Sequence, residues 1–446
     1  MYRQNDIDII KKNMDIIKDD AMKKKLDIME PTLNEFKEVL SVILDFIKRK
    51  KRIIYGGYAQ NNLIKMKNEF DVFYKKIDLP DIEFYTYQPL EDTIELCDLL
   101  HSKKFKYVQG SEADHSETYK IFVNFINYCD ITYVPKNIYN NMSYIKDNNL
   151  LYTHPHFMVV DAFRVYADPL TSYFRLDKTF SRFTTLMKYY PFDLSLVKNT
   201  PFYEKENKET KRFIRHKILH DSQLIVIGHY AFNYLVKKAD EKMIVEKCPY
   251  YQVISINYNE DKVRIDCFLK KNLKNITSKE FYPYFQFYDK HTEYYQDEVC
   301  ILKIYGHNNR CIVNQYSEKK KVYFGTFQLI FLYLLIDYHY AITRLNLVEK
   351  NNYMILITRL LITRDKYLDK HNKTILDRGP YQEFTLHCLG TTEDPLRMSR
   401  LESRKKREAR KQIKFRYDPK DTPGKVPNFV FDNSSGNEII KNKYIN

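Results

Sequence analysis

Glycine is scarce in this chain: ten residues among 446, where average usage of about 7% would supply roughly three times as many. Each one is therefore expected at a backbone position that other residues adopt badly, and two of the ten, Gly56 and Gly57, are adjacent. Cysteine is sparse too. The seven residues (Cys97, Cys129, Cys248, Cys267, Cys300, Cys311, Cys388) are odd in number and form no C-x-x-C pair, which excludes a zinc ribbon and a secreted disulfide framework and reads as reduced core thiols. Long apolar runs are missing. The greasiest stretch, Val322 to Ile336, is short and carries Thr326 and Gln328, and Met1 to Asp6 has no apolar signal region, so no membrane span or leader is expected. Nor is there a G-x-S-x-G, H-E-x-x-H or P-loop motif, which leaves serine-hydrolase, zincin and Walker ATPase chemistry without support.

What is present is aromatic and basic. Hydrophobic residues make up 44% of the chain, with 39 Tyr and 28 Phe, enough to build two or three domains around sizeable cores. Lys and Arg total 73 against 58 Asp and Glu, a formal charge of +15 that calls for a polyanionic partner. The strongest basic run lacks the apolar face that a membrane-surface helix needs, so nucleic acid in the cytosol is the better match.

Apolar residues at three-to-four spacing (Leu33, Phe36, Val39, Leu40, Ile43, Leu44, Ile47) follow Pro31-Thr32 and predict an amphipathic helix within a helical segment 1–50. Ile53-Ile54-Tyr55, Gly56-Gly57 and the run Tyr58 to Lys65 read as strand, tight turn and helix. The alternation through Leu79 to Thr86 predicts a strand with Asp81 and Glu83 on one face. Strands are also expected over Tyr119 to Phe125 and Tyr128 to Val134, the second carrying Asp130. Beyond a helix at Phe157 to Tyr166, Asp168-Pro169 offers an N-cap and first-turn proline for a helix running to about Tyr190.

The chain also repeats itself. Ile53 to Ile64 can be laid over Ile225 to Val236 with Gly, Tyr, Ala, Asn and Leu coinciding, and Pro80-Asp81-Ile82-Glu83 over Pro249-Tyr250-Tyr251-Gln252. On the same scheme Tyr119 to Phe125 falls on Val299 to Tyr305, and the later helix on Phe324 to Tyr340. Two tandem α/β units are thus expected, the second without carboxylates. The reading gives an α+β chain with a helical segment 1–50, a catalytic unit 51–200, a degenerate unit 201–395 and a basic, flexible tail 396–446. Within the tail, Arg404, Lys405, Lys406 and Arg407 are candidates for RNA contact.

Asp81, Glu83 and Asp130 on neighbouring strands make an unusual demand. Like charges about 4 Å apart repel by about 4 kcal/mol at an effective dielectric near 20, so the cluster needs a cation to stay ionised. Magnesium suits an all-oxygen donor set, and the helix start after Gly57 offers N–H donors to a phosphate. This order of a Gly-Gly turn, an Asp-x-Glu strand and a later carboxylate resembles the nucleotidyltransferase superfamily of DNA polymerase β type. The 24-position run from Gly57 to Asp81 is longer than usual there, which keeps Asp78 as the rival first carboxylate. Further residues, Val160-Asp161-Ala162-Phe163-Arg164 and Asp168 to Lys178 with Arg182, resemble the poly(A) polymerase catalytic subunits of large cytoplasmic DNA viruses, over roughly residues 50 to 390.

That resemblance implies a template-independent enzyme adding AMP from ATP to RNA 3′ ends. Asp81, Glu83 and Asp130 would hold Mg2+ or Mn2+, Gly56 and Gly57 form the phosphate turn, and Arg175, Lys178 and Arg182 meet the triphosphate. It also implies a homodimer or a viral processivity subunit as partner, and a place in the host cytoplasm, in viral factories or packaged in the virion. A CCA-adding, uridylyl-adding or oligoadenylate-making enzyme is the alternative within the superfamily. A non-catalytic RNA-binding or processivity subunit that kept the fold is the alternative outside it. His216 with His220, and His154 with His156, bring no obvious third ligand and read as structural.

Overall fold

The computed structural model describes residues 1–75, 78–113, 117–203, 208–220, 222–239, 246–307, 310–409, 415–421, 424, 431 and 434–439. They form two compact units, each built on its own sheet.

The first unit opens with helices α1 (Gln4–Ile28) and α2 (Leu33–Lys50). Thr32 caps α2 by accepting from the Glu35 N–H at 3.3 Å, and Phe36, Val39, Ile43, Phe46 and Ile47 form its buried face, as the spacing predicts. β1 (Ile53–Tyr55) leads directly into α3 (Gly56–Lys65), followed by β2 (Ile82–Thr86), α4 (Pro89–Ser102), β3 (Gln109–Glu112), β4 (Thr118–Val123), β5 (Ile126–Tyr133), β6 (Tyr144–Asp147) and β7 (Leu150–Thr153). The guanidinium of Arg52 grips Asp92 on α4 at 2.7 and 2.8 Å, with both residues buried. This pair locks the start of β1 against α4.

A tail strand, Arg416–Tyr417, pairs antiparallel with β3 at the sheet edge, giving the order tail–β3–β4–β5–β2–β1–β7–β6. Tyr417 is buried and its hydroxyl donates to Asp98 at 2.5 Å. The expected flexible tail is therefore structured in part: it carries this strand and, before it, a helix over Pro395–Glu408. A ring that can be buried over an open edge explains the strand, and composition alone does not reveal such a partner.

The second unit repeats the plan. β8 (Ile225–Ile227) leads into a helix (Gly228–Ala239), followed by β9 (Tyr251–Ser255), β10 (Ile276–Phe281), β11 (His291–Gln296), β12 (Val299–Gly306), β13 (Ile312–Ser317) and β14 (Val322–Gly325). Its order β10–β11–β12–β9–β8–β14–β13 matches β3–β4–β5–β2–β1–β7–β6 position by position, with the same parallel and antiparallel pairings. The match corrects one expectation. Val299 to Tyr305 corresponds to β5, the strand of Asp130, and not to β4, whose counterpart is β11.

Two further expectations are revised. The helix Pro155–Tyr166 belongs to the second unit, so the first core ends near Thr153 rather than 200. The reason lies in the helix Phe327–Thr343, which is apolar all round and buried along most of its length, and such a helix must be covered on every side. Phe157 and Phe163 supply cover, with ring contacts to His339 at 5.0 Å and Phe331 at 4.4 Å. Among the described residues no helix is long and apolar enough to cross a membrane.

The cysteines are not all reduced either. A short strand, Cys388–Leu389, pairs with β13 and brings the Cα atoms of Cys311 and Cys388 to 5.3 Å, where the two are disulfide-bonded. That spacing lies within the range a disulfide bridges. Cys97, Cys129 and Cys248 are buried free thiols, while Cys267 is exposed.

Candidate active site

The site is built where β1 turns into α3. Gly56 sits at φ +69°, and a Cβ at that position would lie 1.7 Å from Oε2 of Glu83, so both the backbone angle and the close approach require glycine. The next amide, Gly57 N–H, donates to the same Oε2 at 2.9 Å. Glu83 thus rests directly on the turn, held by the Gly57 N–H in the first turn of α3.

Sheet register assembles the rest. β2 and β5 run parallel with Glu83 opposite Asp130, and Asp81, two residues before Glu83, points to the same side. On the other flank of β5, antiparallel β4 sets Lys120 opposite Asp130. The Lys120 ammonium donates to both Asp130 oxygens, at 2.9 and 2.8 Å. The Asn127 amide donates to Asp130 Oδ1 at 2.9 Å and, more weakly, to Asp81 Oδ2 at 3.4 Å. The charges of all three carboxylates act on the thiol of Cys129, the residue before Asp130. Burial pushes the Cys129 thiol well above its usual pKa, and the charges of Asp130, Asp81 and Glu83 push it further in the same direction.

The long run between turn and strand is accounted for by α3 and a short 3-10 turn at Glu69–Asp71, after which Asn61 Oδ1 accepts from the N–H groups of Phe73 and Tyr74, both at 3.0 Å. Asp78 closes a separate turn, accepting from Lys75 N–H at 2.7 Å. This favours Asp81 as the first carboxylate of the cluster.

Among the described residues no three His, Cys, Asp or Glu side chains already form a metal-binding group; Lys120 supplies the compensating charge instead. The donor chemistry nevertheless fits a hard divalent cation. All three carboxylates are only half-buried on one face, and together they offer six oxygens and no nitrogen or sulfur.

Arg175, Lys178 and Arg182 lie in the second unit, on and just before a helix at Leu176–Tyr189. The expected single helix from Asp168 is broken into a turn of helix at Pro169–Ser172, a 3-10 turn and this longer helix. Asp168 serves as the cap, accepting from Thr171 N–H at 3.3 Å. Lys178 and Arg175 are exposed, and the Arg175 guanidinium sits 5.5 Å from the Phe174 ring centre. In the tail helix Arg404 and Lys405 are exposed, with Arg404 paired to Glu408 at 2.8 Å; the side chains of Lys406 and Arg407 lie outside the described residues.

The matching place in the second unit is sealed. Gly228 keeps the left-handed turn at φ +61°, with Gln252 in the position of Glu83. Tyr250 stands for Asp81, His229 for Gly57, and Lys303, opposite Gln252, for Asp130. Lys303 pairs at 2.8 Å with Glu293 of β11, and both are buried. Burial raises the Glu293 pKa, but Lys303 and His291 outweigh it and bring the carboxyl well below its usual range. The Gln252 amide donates to Asp337 at 2.7 Å and to the Tyr305 hydroxyl at 3.1 Å, and burial holds the Asp337 carboxyl up at about 7. Polar groups that fill one another in this way leave no open carboxylate for a metal.

Lys120 and Asn127 do not figure in the sequence reading of the site. A two-residue turn at Asn124 and Phe125, both at positive φ, 49° and 65°, closes the β4–β5 hairpin, but its register alone would set Lys120 against Cys129; a one-residue shift in the ladder between Ile121 and Phe122 brings Lys120 opposite Asp130, and no pattern in the sequence announces that shift.

Known proteins resemble this chain along its whole length. Residues 41–172 match the family model "Poly(A) polymerase catalytic subunit", and residues 184–446 match "APMV, Putative poly(A) polymerase, catalytic subunit, C-terminal". Across all of its length the chain is 34% identical to a "Putative poly(A) polymerase catalytic subunit" of Acanthamoeba polyphaga mimivirus, covering 84% of that protein. An African swine fever virus protein with the same description is 29% identical over 177 residues, 38% of this chain and 37% of the relative. The crystal structure of the Megavirus polyadenylate synthase superposes with a TM-score of 0.92 at 32% identity, covering 100% of this chain and 94% of that one.

Proposed function

Because the chain belongs to the viral poly(A) polymerase catalytic-subunit family, we propose that it extends RNA 3′ ends with AMP from ATP, without a template, in the polyadenylation of viral mRNA. The observation that carries this reading is the contrast between the two copies. Asp81, Glu83 and Asp130 flank an intact Gly56–Gly57 turn in the first, and Tyr250, Gln252 and Lys303 take their places in the second. A non-catalytic chain would have no reason to keep the carboxylates in one copy only.

Asp81, Glu83 and Asp130 would hold Mg2+ or Mn2+, which when bound lowers the pKa of the attacking hydroxyl and stabilises the leaving pyrophosphate. The RNA 3′ oxygen attacks the α-phosphorus of ATP, the bond to the β-phosphate oxygen breaks, and the hydroxyl proton passes to solvent. The turn at Gly56–Gly57 orients Glu83 through the Gly57 N–H and brings the start of α3 close enough for a triphosphate to meet its remaining amides. Asn127 links Asp130 to Asp81 and keeps the carboxylates on one side of the sheet. Adenine preference follows from family membership. A homodimer or a viral processivity subunit as partner, and the host cytoplasm, with its viral factories or virions, as location, are part of the same proposal.

The test is primer extension on oligo(A) with each nucleoside triphosphate in turn, with Mg2+, Mn2+ or a chelator. Extension with ATP, abolished by chelator, is expected; a preference for UTP or CTP would assign another terminal transferase, and no extension at all would favour the non-catalytic alternative.

Lys178 and Arg182 are proposed to steady the triphosphate, being spaced at i and i+4 on one helix. Lys178→Ala and Arg182→Ala should each raise the apparent KM for ATP by several-fold to about tenfold and lower kcat, with oligo(A) affinity measured without ATP unchanged. Weaker RNA binding at unaltered ATP kinetics would instead move both residues to the RNA path.

A further inference from the structure

The carboxylate cluster already has a cation of its own. Lys120 reaches Asp130 across an antiparallel pair, with both Asp130 oxygens within 2.9 Å of its ammonium, and Asn127 extends the link to Asp81. Three like charges on adjacent strand positions need compensation whether or not a metal is present, and this lysine stands in direct contact with one of them. We propose that Lys120 is a resident counter-ion of the site: it holds Asp130 in the metal-free protein and competes with the divalent cation for it, thereby setting the metal affinity. This rests on the reading of Asp81, Glu83 and Asp130 as metal ligands.

The second copy provides the internal comparison. At the same two register positions stand Glu293 and Lys303, an ion pair with acid and base exchanged between the strands. The pairing is kept in both copies, but its accessibility differs. The side chains of Glu293 and Lys303 are 3% and 8% exposed, whereas those of Asp130 and Lys120 are 16% and 32% exposed. A fully buried pair cannot trade its partner for a hydrated ion without a large desolvation cost, while a lysine with a third of its side chain in water can swing its ammonium into solvent when another cation arrives. The first copy therefore carries an exchangeable version of a device that is permanent in the second. Lys120 is thus a positioning residue, acting on the reaction through Asp130.

The experiment uses the full chain with Lys120→Met, Lys120→Gln and Lys120→Arg, measuring Mn2+ binding by calorimetry without nucleotide or RNA, and thermal unfolding with chelator and with Mg2+. Removing a competitor worth about as much as a partly exposed ion pair should tighten Mn2+ binding roughly three- to tenfold in Lys120→Met and Lys120→Gln. The same two variants should unfold at lower temperature than wild type in chelator and regain the difference in Mg2+; Lys120→Arg should track wild type in both. Because Lys120→Gln keeps a polar, hydrogen-bonding side chain, it serves if Lys120→Met fails to fold. Unchanged or weaker Mn2+ binding in these variants, with Asp130→Asn losing the binding seen in wild type, overturns the role of Lys120 and leaves the metal site standing. Absence of Mn2+ binding in wild type overturns both.

Discussion

Asp130→Asn, Asp81→Asn and Glu83→Gln are each expected to lower the rate of nucleotide addition by about a thousandfold or more, the effect of losing several kcal/mol of transition-state stabilisation. The substitutions keep side-chain shape and remove charge only, so the fold should survive. Asp81→Asn and Glu83→Gln lessen repulsion within the cluster, and in Glu83→Gln the amide carbonyl that replaces the carboxylate can still accept from Gly57 N–H, as Glu83 does at 2.9 Å. Asp130→Asn takes the charged partner from Lys120, but that ammonium has water within reach, with its side chain 32% exposed, and the cost should stay within about 1 kcal/mol. Initial rates of primer extension beside thermal unfolding separate chemistry from stability. Asp78→Asn, which alters only the turn at Lys75, belongs in the same series and should retain activity. A variant of the three that kept a tenth of the wild-type rate would lose its assignment as a ligand, and full loss in Asp78→Asn would transfer the role there.

The second large effect is on stability, at the matching place in the second unit. Lys303→Met should destabilise the second unit by about 3–5 kcal/mol, because it removes the ammonium from the buried Glu293 carboxylate and leaves only the Tyr295 hydroxyl and the His291 ring beside it. The Lys303 ammonium also lies 4.6 Å from the Tyr250 ring centre, a contact that a desolvated cation makes favourably. The double variant Glu293→Gln, Lys303→Met should recover most of the loss, since a buried ion pair replaced as a unit is often nearly neutral. Urea unfolding of the single and double variants measures both, and added Mg2+ should not move the midpoint attributable to this unit. A Lys303→Met chain as stable as wild type would mean that the pair is solvated, and the interpretation of the second copy as a sealed site would fail. The contrast with Lys120 is the instructive part: the same pairing, at the same register, is structural when buried and exchangeable when half-exposed.

Much of the active site is legible in the sequence because its elements are local. A glycine pair after an apolar triplet and before an amphipathic run can only be a tight strand-to-helix turn, and Gly56 at φ +69° bears this out. Strand periodicity of two is enough to set Asp81 and Glu83 on one face. The tandem repeat emerges from the same short-range pattern, Ile-Ile-Tyr-Gly against Ile-Val-Ile-Gly, and its second half carries Tyr250 and Gln252 where carboxylates stand in the first. What needed the tertiary structure is whatever depends on register between distant segments. Lys303 could not be matched to Asp130, nor Glu293 to Lys120, until the order of the strands across each sheet was known. The pairing of Cys311 with Cys388, 77 residues apart, required a short edge strand that composition does not announce. The return of Tyr417 to the edge of the first sheet, and the passage of the helix Pro155–Tyr166 to the second core, follow from which apolar surfaces remain to be covered once each sheet has closed. Backbone sterics act over a few residues and are written in them; burial and charge pairing act between residues that only the folded chain brings together.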